Sequence, residues 1–200
     1  MNTRLLTVLV ALVLTAENVW AAEEANDKMT AQEGIILALA LQQSYTDGGY
    51  TVVSPEARLS HMDFGNSKEV KDSKKYIRDH LQTNGVNVAK LVDRLFERNK
   101  RDVRLSIKSS PKNGYIVDYD GKYGKYFEKN GGGWEKWYKE NPNAHGSTAV
   151  SLPVYDEKNG LVLVYKGTQS HWLAGSGWII LYRYEKGELK ELKKVMMWIS

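Results

Sequence analysis

Residues 160–200 read GLVLVYKGTQSHWLAGSGWIILYRYEKGELKELKKVMMWIS, and this stretch decides the fold. Leu161 to Tyr165 and Trp178 to Tyr184 are short runs rich in branched and aromatic residues. Runs of this kind, apolar without alternation, predict strands covered on both faces. The Ser/Gly stretch between them holds His171 and Trp172. It reads as a loop whose glycines supply positive φ, with Trp172 either folded back onto the sheet or left exposed. Glu185-Lys186-Gly187 suits a type I turn closed by a Gly bulge. The final segment carries two periods. Leu189, Leu192, Val195, Met196 and Ile199 have helical spacing, whereas Val195, Met197 and Ile199 alternate. The preceding turn favours a strand.

Working back from this unit, Val150, Leu152 and Val154 alternate, and Asp156 to Gly160 forms a turn. Trp134 to Tyr138 predicts a short helix that ends at Asn141-Pro142. Tyr115 to Tyr119 and Lys122 to Phe127 flank Asp120-Gly121, which is a type I′ hairpin signal. Val103, Leu105 and Ile107 alternate with Arg104, Ser106 and Lys108, as in a half-buried strand.

Before Arg101 the period is helical. Asn87 precedes VAKLVDRLFERN, and Asn66 with Glu69 precedes SKEVKDSKKYIRDHL. Both read as capped amphipathic helices, stopped by Asn84-Gly85 in the second case. Glu56 to Gly65 has no clear period and reads as loop. Tyr50 to Ser54 is a short strand stopped by Pro55. Thr30 and Glu33 form a capping box that opens GIILALALQQSY, a helix apolar almost all round and ended by Asp47-Gly48-Gly49.

The first residues have the grammar of a secretory signal. Arg4 precedes the apolar run Leu5 to Ala16, and Val19-Trp20-Ala21 suits cleavage after Ala21. The apolar run is shorter than the roughly 20 residues a membrane span needs, so no span is expected after cleavage. An uncleaved anchor is the alternative; the charged start AEEANDK argues for cleavage. Residues 1–21 are therefore expected to be a signal peptide and the protein to be exported, to the periplasm or beyond. Residues 22–200 are expected to be one domain, mainly helical over 22–101 and mainly β over 102–200. The fold class is α+β: N-terminal helices packed on a C-terminal antiparallel β-sheet, a meander.

Composition agrees with a self-sufficient core. Of the 200 residues, 42% are hydrophobic, which argues against disorder, and none is Cys, so no disulfide or lipid-bearing thiol is involved. The net charge of +4 is too small to argue for nucleic acid.

The chemistry-bearing candidates centre on TQSHWLAGSGW. His171 with Ser170 or Ser176 supplies a base and a nucleophile, and the amides around Gly175 to Gly177 resemble an oxyanion nest. Ser170 and His171 are adjacent, however, and on an extended segment they face opposite ways. No G-x-S-x-G elbow is present. The alternative is a binding surface made by Trp172, His171, Gly175 and Gly177.

Metal ligation by His61 and Asp63 with His80, His145 or His171 lacks a paired helical spacing, and Asp118 to Tyr123 departs from a calcium loop. No metal and no cofactor are expected. Tyr115, Tyr119, Tyr123 and Tyr126 lead into Trp134, Trp137 and Tyr138, and Trp178 follows. These rings are expected in the core, with Trp172 as the exposed exception. The basic run Arg94 to Arg104 is a solvated helix end, or a contact for an anionic envelope polymer.

One pattern runs through the last third of the chain. It comprises Trp134, Trp137, Tyr138, Pro142, Gly146 and Leu152, then LVLVYKG, Leu173, Gly175, Gly177, Gly187 and Trp198-Ile199-Ser200. In order and spacing it resembles a group of exported bacterial proteins. The resemblance implies the fold and export, and carries no reaction. It implies two Cys in the loop, at Ser170 and Ala174, and this chain departs at both. Together these features give the expectation of a non-catalytic binding or accessory module of the bacterial envelope. Its partner would be an envelope polymer or another protein. A hydrolase using His171 with a nearby Ser or carboxylate is the rival.

Overall fold

The computed structural model describes residues 28–42, 48–60, 62–82 and 86–200. The signal segment, the cleavage site, Asp47, His61 and the Asn84-Gly85 stop lie outside the described residues. The helices are α1 (Ala31–Gln42), α2 (Ser67–Leu81), α3 (Ala89–Arg98) and α4 (Gly133–Glu140). The strands are β1 (Tyr50–Val53), β2 (Glu56–Ala57), β3 (Val103–Arg104), β4 (Tyr115–Val117) and β5 (Ala144–Val150). They continue with β6 (Val154–Asp156), β7 (Leu161–His171), β8 (Ala174–Glu185) and β9 (Glu188–Ile199).

The helices begin where the sequence places their caps. The Thr30 N–H donates to Glu33 Oε2 at 2.7 Å while the Glu33 N–H donates to Thr30 Oγ1 at 3.2 Å. Asn66 Oδ1 accepts from the Glu69 N–H and Asn87 Oδ1 from the Ala89 N–H. Each bond satisfies a donor that the first helical turn leaves unpaired.

The fold is α+β, and its main sheet is mixed rather than an antiparallel meander. The strand order is β4-β1-β5-β7-β8-β9, with β6 also on β7. Strand β1 runs parallel to both β4 and β5, and the other pairs are antiparallel. Thr51, Val52 and Val53 are buried, as expected of a strand covered on both sides. That burial needs neighbours on both edges, and they come from distant segments. Glu56-Ala57, expected as loop, instead pairs with Val103-Arg104.

Two turns differ from expectation for local reasons. After β4 there is no hairpin. The Asp118 carboxylate accepts the Tyr123 N–H and, at 3.0 Å, the Gly124 N–H. This turns the chain into a 3₁₀ helix over Gly124–Phe127. Between β8 and β9, Lys186 and Gly187 both have positive φ, 53° and 82°. The connection is therefore a two-residue turn with two left-handed residues, not a type I turn with a bulge.

The hairpin β7–β8 forms the middle of the structure. Val162, Val164, Ile180 and Tyr182 face α1, where Ile36, Leu37, Ala40 and Leu41 cover them. Leu161, Leu163, Tyr165, Ile179 and Leu181 face the other way, onto α2 and α3. A third cluster joins Val52 and Ala144 to Tyr123, Tyr126, Trp134 and Trp137.

Strands β5 and β6 pair with successive parts of the same edge of β7, and the chain breaks between them at Ser151 to Pro153. The break is held by Asn99, at the end of α3 and only 2% exposed. Its amide donates to Leu95 O and Leu152 O at 2.9 and 3.1 Å, and its Oδ1 accepts the Leu152 N–H at 2.7 Å. Asn99→Ala would strand a buried peptide group and should lower unfolding free energy by about 2–4 kcal/mol. Urea denaturation reads this directly; a loss below about 1 kcal/mol would mean that water replaces the amide.

A second tie joins α1 to α3. Arg98 grips Glu33 through Nε at 2.7 Å and Nη2 at 3.0 Å. Burial pushes the Glu33 carboxyl up, but the Arg98 hydrogen bonds and charge and the Thr30 N–H outweigh it and hold it below its ordinary 4.5. A carboxyl depressed in the folded state contributes stability above its unfolded pKa and loses it as pH falls through the folded pKa. The urea midpoint should therefore fall below about pH 4.5. Glu33→Gln should flatten this acid limb; an unchanged limb would show that other carboxyls carry it.

Candidate functional site

The turn between β7 and β8 contains only Trp172 and Leu173, because His171 already pairs with Ala174. Gly175 and Gly177 are therefore strand residues, opposite Gln169 and Gly167, and neither has positive φ. The expectation that they serve a loop is corrected on this point. Their role is close approach. A Cβ on Gly177 would fall inside the Trp198 indole, and one on Gly167 would lie 3.1 Å from Trp198 Cζ2. The Gly167–Gly177 pair thus leaves a bare strip of sheet on which Trp198 lies, its Nε1–H donating to Tyr165 Oη at 2.8 Å. Gly175 is filled in the same way by the Gln169 side chain.

The hydrolytic candidates are not brought together. Ser170 Oγ donates to Ala174 O at 3.0 Å. Ser176 Oγ accepts the Trp178 Nε1–H at 2.9 Å. The exposed His171 ring makes no hydrogen bond or ion pair with any described residue. The Gln169 amide instead braces the tip, donating to His171 O and to Ser200 Oγ at 3.2 Å. His80, on α2, contacts Tyr76 O, and His145 lies on β5 against Gly49. Among the described residues no three His, Asp or Glu side chains gather as metal ligands.

Trp172 is 63% exposed and Leu173 83%. The Trp172 ring is nonetheless held. It stands edge-on to Phe127 at 6.1 Å and to Trp134 at 6.5 Å. Gly133 passes beneath it, so close that a Cβ there would be 3.1 Å from Trp172 Cζ2. The base of this patch is closely packed. Phe127 packs on Trp134 at 4.6 Å, and Trp134 stacks on Tyr138 at 5.9 Å. Tyr138 Oη donates to Ser170 O at 2.6 Å, tying α4 to the hairpin. Trp134 and Trp137 are buried, as expected for core rings, while Phe127 is open to solvent with Trp172.

Sequence reasoning missed two members of this patch. Leu173 is exposed because the turn is so short that it cannot fold back. Phe127 is brought to Trp172 by the Asp118-capped 3₁₀ helix and the Gly131-Gly132-Gly133 run. The Gly run before Trp134 was the available signal for close packing.

No known protein family, curated protein or solved structure matches this chain.

Gly177→Ala should displace Trp198 and cost about 2 kcal/mol, as overpacking does. Loss of the Trp198–Tyr165 contact would appear as a red-shifted tryptophan emission together with a lower denaturation midpoint. A variant with wild-type stability and emission would show that the strip tolerates a methyl group.

Proposed function

We propose that this chain is an exported, non-catalytic binding module of the bacterial envelope, holding its partner against the aromatic tip of the β7–β8 hairpin. The observation that carries the proposal is the pairing of exposure with aromatic packing. Trp172 and Leu173 project into solvent, yet Phe127, Trp134 and Gly133 fix the Trp172 ring. A ring held in place before its partner arrives loses little freedom on binding, and Trp is prominent among residues that dominate interfaces. Such a ring suits the apolar face of a sugar unit in an envelope polymer. The separate hydrogen bonds of Ser170 and Ser176 favour binding over hydrolysis. Export rests on Arg4, the Leu5 to Ala16 run and Val19-Trp20-Ala21.

Retention on purified cell-wall polymer tests this proposal. Trp172→Ala should weaken retention about tenfold, equivalent to about 1.4 kcal/mol, with a melting temperature within a few degrees of wild type. Undiminished retention would remove the tip from the function. Turnover of esterase, peptidase or glycosidase substrates that disappears in His171→Ala would replace the binding reading with the hydrolase.

A further inference from the structure

A second site lies on the α2 side of the sheet and shares no residue with the hairpin tip. Between α2, α3, the segment after β2 and the end of β9 is a cavity of about 150 Å³. Its apolar walls come from Leu59, Phe96, Ile179 and the two thioethers Met62 and Met197. A cavity of about this size lined by Leu, Ile and Phe accepts a benzene ring; the one here is partly open and carries polar groups as well. Methionine walls adjust to the shape of what enters.

The cavity owes its form to a bulge in β9. Gly177 pairs with Trp198 and Trp178 with Met196, so Met197 is an extra residue on that strand. A bulge of this kind re-aims side chains. Met197 and Trp198 are consecutive, yet both turn to the α2 side: Met197 joins the α2–α3 core cluster, and Trp198 reaches Tyr165 in the same cluster.

The polar atoms at this cavity are incompletely used. Ser60 Oγ is shut off from solvent and has no hydrogen-bond partner. Tyr165 Oη accepts from Trp198 Nε1, but its own proton finds no acceptor in hydrogen-bond geometry among the described residues. Burial pushes the Tyr165 phenol up. Burial outweighs the opposing Trp198 N–H and Ser60 hydroxyl, so the phenol stays a neutral donor; the Ser60 hydroxyl lies beside Tyr165 without reaching hydrogen-bond geometry. A buried hydroxyl without a partner costs stability, and native structures keep few of them.

The charge at the cavity disfavours an anion. Glu69 lines the cavity with a carboxylate. The Lys74 ammonium, 5.3 Å from the centre of the Phe96 ring that forms one wall, is paired with Asp93 at 3.2 Å.

We propose that this cavity binds a small uncharged molecule with a ring-sized apolar body and a single hydroxyl, of the phenol class. The body lies against Phe96, Ile179 and Met197. The ligand oxygen accepts the Tyr165 proton, and its own O–H donates to Ser60 Oγ. The Tyr165 proton and the Ser60 oxygen then each have a partner, and the apolar remainder fills the cavity.

The test uses the full chain labelled with ¹⁵N, the indole N–H signal of Trp198 being assigned by its loss in Trp198→Phe. Phenol is titrated against toluene, which has the same shape without the hydroxyl. Phenol should shift the Trp198 signal saturably and bind at least about tenfold more tightly than toluene, the discrimination expected when buried polar groups would be left unpaired. Ser60→Ala and Tyr165→Phe should each bring phenol towards the toluene affinity. The absence of a saturable shift up to the solubility of phenol would overturn the proposal. Equal binding of phenol and toluene would also overturn it, leaving a plain apolar void, as would unchanged affinity in both variants. The phenol–toluene contrast in the unaltered protein decides the matter even where a variant folds poorly. Because the signal belongs to Trp198, the result is independent of whether Trp172 binds a polymer.

Discussion

Two-sided burial of the β7–β8 hairpin is the constraint on which the rest of the structure depends. Its strands are apolar on both faces, so neither face can meet water. Val162 and Val164 need α1, and Leu163 and Tyr165 need α2 and α3. A single helix layer would leave half of each strand uncovered, and the hydrophobic driving force scales with the area removed from water. The N-terminal helices are thus recruited to opposite faces. Asn99 and the Arg98–Glu33 pair, at the end of α3, tie the two helical layers to the sheet and to each other.

The same hairpin supplies both candidate sites because its two ends differ. Where the strands are covered they carry branched residues. Towards the tip they carry Gly167, Gly175 and Gly177, and the sheet surface becomes bare backbone. Trp198 occupies that bare strip and forms one wall of the cavity. Beyond it the strands outrun their cover, and Trp172 projects. Residues that resemble one another only as a pattern in the chain, LVLVYKG, Gly177 and Trp198, meet here as one packing unit.

Much of this was legible in the residues. Capping pairs, helix stripes, the two apolar strands and the final strand all follow from local spacing, and local spacing is what a sequence displays. The insertion of β1 between β4 and β5 was not legible, because parallel partners lie far along the chain and leave no turn signal. Asp120-Gly121 misled for a related reason. The dipeptide permits a hairpin, but the Asp118 carboxylate, two residues earlier, claims the next amides first. The glycines of the tip misled because a glycine read alone suggests a turn. Its other use, close approach of a large ring, becomes visible only when Trp198 is found above it. Trp172 was singled out correctly as an exposed ring, whereas Phe127 required the third dimension.

The position of β1 also sets an order of assembly. Thr51 bonds to Gly146, 95 residues further along. By contrast, β7, β8 and β9 are joined by turns of two residues each and can pair as soon as they exist. Closing a long loop costs entropy before any contact repays it, and chains rich in distant contacts fold slowly. A chain made from its N-terminus therefore presents Ile36, Leu37, Val52 and Val53 long before their cover is synthesised. These early apolar residues wait for cover that comes from the far end of the chain.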